Sequence, residues 1–321
     1  LQAGVDLELV RKFINLKASI NLEAELEKLE KEHIKILSFK DPSYPKLLLE
    51  IPKFPPILYY KGTLGDADEL CLAVVGTRQI TNYGRTIIPQ LLEPLINAGS
   101  IIVSGMAYGV DSASHEEAIK KNRRTIAVLG GGLDEPSLYP KHHALLAKRI
   151  IDSGGALISE YPIGTPNFKQ NFVARNRIIS GLSIATLVIE CDLQSGTLIT
   201  AKHALDQNRT VYAIPGPIYS LQSQGPNNLI KMGAKLVTTA NDILEDLNLK
   251  TLPEQITNQS LFGDSKNETS VLKLLSFEPM LLDTLIKTSG LEAKDVTSAL
   301  TFLEMKGRIK NLGGQQYILA R

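Results

Sequence analysis

Residues 70–84 read LCLAVVGTRQITNYG, six apolar or thiol side chains running straight into Gly76-Thr77-Arg78, with an amphipathic pattern starting at Tyr83 and continuing to Ala98. A strand that is apolar throughout, rather than at alternate positions, is covered on both faces. That is the signature of a parallel sheet lying between helices. The same unit recurs along the chain: Ile101 to Val103, Thr125 to Leu129, Ala156 to Ile158, Ile184 to Ile189 and Thr210 to Ile214 are further apolar runs separated by helix-patterned segments. The predicted fold class is therefore α/β, a doubly wound, Rossmann-like, mostly parallel sheet. Ligands of such sheets bind beyond the carboxyl ends of the strands. There the chain gathers Gly76-Thr77-Arg78, Ser104-Gly105, Gly130-Gly131-Gly132 and Ser195-Gly196-Thr197, small-residue turns able to present backbone N–H groups to an anion.

The first turn also excludes chemistry. A dinucleotide site needs GxGxxG between strand and helix, and here Arg78 stands where backbone must approach a pyrophosphate; GxxxxGK[ST] is absent as well. No cofactor is expected. Ser112 and His115 in SGMAYGVDSASH are neighbours on one helix face, not two arms of a triad, and the adjacent His142 and His143 cannot share a face to hold a metal. No catalytic or metal residue is assigned. The rim carboxylates Glu190, Asp111 and Glu160 could each act as a base or as an anchor for a nearby arginine.

Outside the repeating region, residues 1–32 are helix-patterned, with Leu7, Val10, Phe13 and Ile14 on one face, followed by the charged run LEAELEKLEKE. From His33 to Gly62, short β-like pieces are broken by Pro42, Pro45, Pro52, Pro55 and Pro56, and read as a lead-in that packs against the main sheet and extends it. The sheet domain is expected over 33–248. Residues 249–268 are polar and unpatterned, a linker, and 269–321 read as three helices and a hairpin turning at Gly313-Gly314, the outline of a small winged helix. Its balanced charges leave protein contact, autoregulation and DNA binding all open.

With 35 basic against 34 acidic residues, the chain has no global signature of a nucleic-acid binder, so any such site is a local concentration of cations. Cys71 and Cys191 lie in apolar runs without metal or disulfide spacing and are expected to be buried thiols in a reducing cytosol. No run suits a bilayer span, and the N-terminus lacks a signal-peptide layout. The first residue is Leu1, not Met, which suggests that an N-terminal piece is missing.

The local concentration is at residues 167–183, NFKQNFVARNRIISGLS. Phe168 and Phe172 offer ring faces for bases, and Lys169, Arg175 and Arg177 offer charge for phosphates, the combination needed for sequence-tolerant single-strand binding. The competing reading puts both rings in the core and the charges on a solvated face. If 175–181 are helical, Arg175 and Arg177 point about 200° apart, so one is expected to face ligand and the other to be paired internally. A nucleotide-handling enzyme or sensor, using the same glycine rim, and a protein-recruiting scaffold are the alternatives to a single-strand binder.

The strings GTRQITNYG, SGMAYGVDSASHEEAI, AVLGGGLDEPSLYPKHH, GALISEYPIGTPNFKQNFVARNRIISGLS, LVIECDLQSGTLITAKHAL and AIPG with GPNNLIKMGA resemble, in order over about residues 33 to 247, the DprA/Smf family of bacterial DNA-processing proteins. The tail from 270 resembles that family's winged-helix domain; residues 1–32 match its sterile-alpha-motif-like N-terminal domain only in part. The resemblance implies a homodimeric, cytoplasmic single-stranded DNA-binding protein without known enzymatic activity, which protects incoming strands and helps load the recombinase RecA in natural transformation. Single-strand binding protein or competence proteins are the candidate partners of the C-terminal domain. It also implies that Arg78, of the glycine, small residue, arginine motif, and Lys169 with Phe172 contact DNA. Arg175 and Arg177 match the family's RNR arginines, and Phe168 is supported less and left as a core candidate.

Overall fold

The computed structural model describes residues 6–65, 70–249, 265–275, 279–306 and 308–319. They fall into two units, Leu1–Thr251 and Leu252–Arg321. In the first, helices α1 (Leu7–Ser19) and α2 (Leu22–Lys31) precede β1 (Lys35–Ser38), the short α3 (Lys46–Leu49) and β2 (Ile57–Gly62). Then β3 (Cys71–Val75), α4 (Asn82–Asn97), β4 (Ile101–Ser104), α5 (Val110–Lys120), β5 (Thr125–Val128), α6 (Ala144–Asp152) and β6 (Ala156–Ser159) wind in one direction. The chain continues through α7 (Lys169–Gly181), β7 (Ala185–Val188), α8 (Thr197–Asp206), β8 (Thr210–Ala213), α9 (Leu221–Lys231), β9 (Lys235–Leu236) and α10 (Ala240–Asp246).

The strands form one nine-stranded sheet in the order β1-β2-β6-β5-β4-β3-β7-β8-β9. From β6 through β9 all neighbours are parallel, and β1 and β2 extend the sheet antiparallel beyond β6. Strands β3 to β7 are buried at every position, as their unbroken apolar runs require. Side chains alternate across the sheet: Ala73, Val75, Val103 and Val188 cluster with Ile178 of α7, Leu182 just after it and Ala201 of α8, while Leu72, Val74, Ile102 and Leu187 cluster with Ile88, Leu92 and Leu95 of α4. Pro89 and Pro94 lie inside α4, which nevertheless runs unbroken. Both cysteines are buried, and burial pushes the Cys191 thiol up to about 12.

The lead-in extends the sheet through β1 and β2, Tyr59 pairing with Ser159 and Gly62 with Ala156; the prolines stand outside both strands and leave their ladders intact. Two features of this unit differ from the sequence reading. Strand β9 is two exposed residues long and has no apolar run to announce it. On the predicted helix face at the N-terminus, Phe13 and Ile14 are 65% and 58% exposed rather than packed.

In the second unit, α11 (Lys266–Leu274), β10 (Met280–Leu281), α12 (Leu282–Ser289), α13 (Ala293–Met305), β11 (Ile309–Gly313) and β12 (Gln316–Leu319) make a winged helix with strand order β10-β12-β11. Val271, Leu285, Val296, Leu300, Leu303 and Ile309 are its core. Helix α11 begins inside the stretch expected to be linker, because Ser265 caps it by accepting the Glu268 N–H (3.1 Å); residues 250–264 of that stretch lie outside the described residues. Strand β10 was not foreseen. Among the described residues no helix is long and apolar enough to cross a membrane.

Candidate nucleic-acid interface

The strand order reverses between β3 and β7, so the connections leaving these two strands run to opposite sides and open a crevice at their carboxyl ends. A cleft of about 760 Å³ occupies that place, walled by Gly76, Thr77 and Arg78 after β3, by Asp192, Ser195, Gly196 and Thr197 after β7, and by Lys169, Phe172, Arg175 and Asn176 of α7.

The loop carrying Arg78 is stapled on three sides. Thr77 donates its N–H to the Glu190 carbonyl (2.6 Å), Val110 donates to the Thr77 carbonyl (3.1 Å), and the buried Glu190 carboxylate accepts from the N–H (3.0 Å) and hydroxyl of Thr81, the N-cap of α4. A carboxylate at a helix N-terminus meets the positive end of the helix dipole. Glu190 is thus neither a free base nor an arginine anchor; it fixes the loop from which Arg78 projects, exposed, into the cleft.

On the opposite wall α7 begins at Lys169, which is exposed, and one turn later Phe172 is half-buried. The Phe172 ring lies 5.4 Å from that of Tyr139, tilted by 45°, and 5.9 Å from the guanidinium carbons of both Arg78 and Arg175. Phe168 is half-exposed and does not line the cleft.

The two RNR arginines point apart as the helix requires, but both are committed within the protein. Arg175 is buried beneath the cleft, donating to the carbonyls of Gly105 (3.0 Å) and Val128. These carbonyls leave the carboxyl ends of β4 and β5, where the ladders stop, and buried carbonyls there need a donor. Burial lowers the Arg175 pKa to about 10, against the neighbouring Asp111, which holds it up. Burial in turn raises the Asp111 carboxyl, while Arg175 and the N–H groups of Gly105 (3.2 Å) and Ala107 (3.3 Å) draw it down. Arg177 is ion-paired with Glu160, both side chains 17% exposed, and stands outside the cleft lining. Arg177 is thus the internally paired member of the two, and Arg175, although buried, is the one that lines the cleft.

Two further rim candidates move inward. Ser104 is fully buried with its hydroxyl on the Val74 carbonyl (2.6 Å), the requirement of a polar group inside a sheet. Gly105 spends its N–H on Asp111 and its carbonyl on Arg175, and a Cβ there would stand 2.6 Å from an Arg175 nitrogen. Gly76 after β3 and Ser195, Gly196 and Thr197 at the start of α8 do line the cleft. The charged groups lining it are Arg78, Lys169, Arg175, Asp111 and Asp192; the buried Arg175 and Asp111 offset one another electrostatically, which leaves the two exposed cations dominant. Tyr139 and Asn167 also line the cleft, and no local pattern in the sequence marks either.

The family described as DNA recombination-mediator protein A matches residues 35–248, and the DprA winged helix domain matches residues 255–315. Protein Smf of Escherichia coli is 36% identical over 326 residues, covering 100% of this chain and 86% of that protein. The DNA processing protein DprA of Streptococcus pneumoniae is 41% identical over 220 residues, covering 68% and 77% respectively. The X-ray structure of DprA from S. pneumoniae superposes with a TM-score of 0.64 at 36% identity, over 73% of this chain and 81% of that one. DprA from Helicobacter pylori, whose structure is described as giving insight into a single-stranded DNA binding mode, superposes with a TM-score of 0.58 at 29% identity, over 68% and 97%.

Proposed function

The chain belongs to the DprA/Smf family of DNA-processing proteins, and from that premise we propose that it binds single-stranded DNA in the switch-point cleft. The observation that carries this reading is the meeting, in one cleft, of Arg78 from the β3 loop with Lys169 and Phe172 from α7. Arg78 and Lys169 take phosphates, and Phe172, tilted against Tyr139, takes a base. Gly76, Ser195, Gly196 and Thr197 offer backbone at the wall. Arg175 serves by holding Gly105 and backing the Phe172 ring, and Arg177 by closing an internal pair. Stacking and phosphate contact read no base edge, so binding is sequence-nonspecific.

The protein acts as a cytoplasmic homodimer that protects incoming strands and passes them to RecA during natural transformation; it holds DNA and performs no chemical step on it. Residues 33–248 form the strand-binding domain and 269–321 a winged helix that contacts protein partners such as single-strand binding protein.

The test is fluorescence anisotropy of a labelled oligothymidylate over a salt series. Phe172→Ala is expected to cost about 1 to 3 kcal/mol of binding. Arg78→Ala and Lys169→Ala are each expected to flatten the log–log salt slope by about 0.7. Wild-type affinity in all three variants, or an affinity indifferent to salt, sinks the proposal.

A further inference from the structure

Resting on that reading, we propose that the DNA surface does not end at Arg78 but continues into a second station, where Tyr108 and Arg85 take the next nucleotides of the same strand. A second cavity of about 520 Å³ lies beyond Arg78 and shares Arg78 and Gln79 with the first. A small recess bordered by Arg78, Tyr108, Tyr139 and Phe172 adjoins both, so the two cavities meet at one shared cation, Arg78.

The station repeats the chemistry of the first. Tyr108 is 40% exposed, yet its ring is held in place: its hydroxyl is 3.3 Å from His142 Nδ1, and it meets the His143 ring edge-on at 4.8 Å. His143 is itself tied through Nδ1 to the Met106 carbonyl (2.8 Å). The turn bearing Tyr108 is pinned to the Arg78 loop. Gly109 closes it at φ +81°, where a Cβ would lie 2.2 Å from the Thr77 carbonyl oxygen. A ring fixed before binding loses little conformational entropy on stacking. Arg85, exposed on the first turn of α4, supplies charge, and the one carboxylate in the lining, Glu116, is paired with Arg149 (2.7 Å). Ring and cation, then a shared cation, then ring and cation is the order of contacts that a polymer would use; a single small ligand would need only one of these stations.

The experiment measures anisotropy of the full chain with oligothymidylates of about 6 and about 15 nucleotides, within the range of single-strand site sizes. Tyr108→Leu is expected to weaken the longer probe about tenfold and the shorter one far less. Arg85→Ala, at an exposed position that puts folding at little risk, is expected to lower the salt slope by about 0.7 on the longer probe. Phe172→Ala should weaken both lengths. If Tyr108→Leu and Arg85→Ala match wild type on the longer probe while Phe172→Ala weakens both, the second station is overturned and the cleft stands. If Phe172→Ala also binds like wild type, the cleft reading and the station fall together.

Discussion

Helix α4 begins against a buried carboxylate, and this makes an unusual sign of mutational effect. In an exposed helix interior Gly→Ala gains about 1 kcal/mol. Gly84 is different: a Cβ there would lie 2.4 Å from Glu190 Oε2 and 2.8 Å from Ile80 Cγ1. Gly84→Ala must therefore push the carboxylate off Thr81, whose N–H and hydroxyl it accepts. Hydrogen bonds to a charged group are worth roughly 1.5 to 3 kcal/mol each. The carboxylate is 2% exposed, so its displacement or removal also relieves its own desolvation, and the net loss expected for Glu190→Ala is about 2 to 4 kcal/mol. For a domain of this size that lowers Tm by roughly 5 to 15 °C. Gly84→Ala is expected to destabilise by a comparable amount, and the double variant by less than the sum, because removing the carboxylate makes room for the methyl group. Urea unfolding of the four proteins measures the coupling. A stabilising Gly84→Ala, a Glu190→Ala within about 0.5 kcal/mol of wild type, or strict additivity refutes the argument.

Glu160→Gln should cost about 1 to 3 kcal/mol, because it leaves the largely buried Arg177 without its counter-charge, where Arg177 Nη1 and Glu160 Oε1 already lack hydrogen-bond partners. The salt slope of DNA binding should not change; a change in slope would place Arg177 on the strand. His115 offers a pH test. Its Nδ1 lies 2.7 Å from the Thr125 hydroxyl, whose own hydrogen goes to the Ile102 carbonyl (2.6 Å), so the network assigns the neutral Nδ1–H tautomer. Burial, with His143 and Arg175 nearby, pushes its pKa from 6.5 down to about 3. The unfolded chain takes up this proton near pH 6.5 and the folded chain does not, so stability present above that pH is lost as pH falls toward about 3. The loss is about 1.4 kcal/mol per pH unit for this group. Asp111, raised by burial, works in the opposite sense in acid, and subtracting a His115→Gln profile from wild type cancels it. A difference profile that stays flat between about pH 4 and pH 6.5 contradicts the account.

The parallel sheet was legible because burial on both faces leaves an unbroken apolar run, and β3 to β7 each carry one. The stretch 167–183 was legible as a cluster because its rings and cations are close in sequence. That helix geometry separates Arg175 from Arg177 also followed from spacing alone, since rotation per residue is a local property.

What each arginine touches was not local. Whether Arg175 is free depends on carbonyls at the ends of β4 and β5, some 70 and 47 positions away, and Arg177 on Glu160 across a turn. The same holds for Ser104 and Gly105, which read as a rim and lie beneath it, and for Tyr139, which reaches Phe172 only through the fold. Sequence by itself settled the periodicities, and with them the kinds of element and the family pattern. Tertiary structure decided which polar groups remain to meet a ligand, because a buried donor or acceptor must find its partner wherever packing brings one, however distant along the chain.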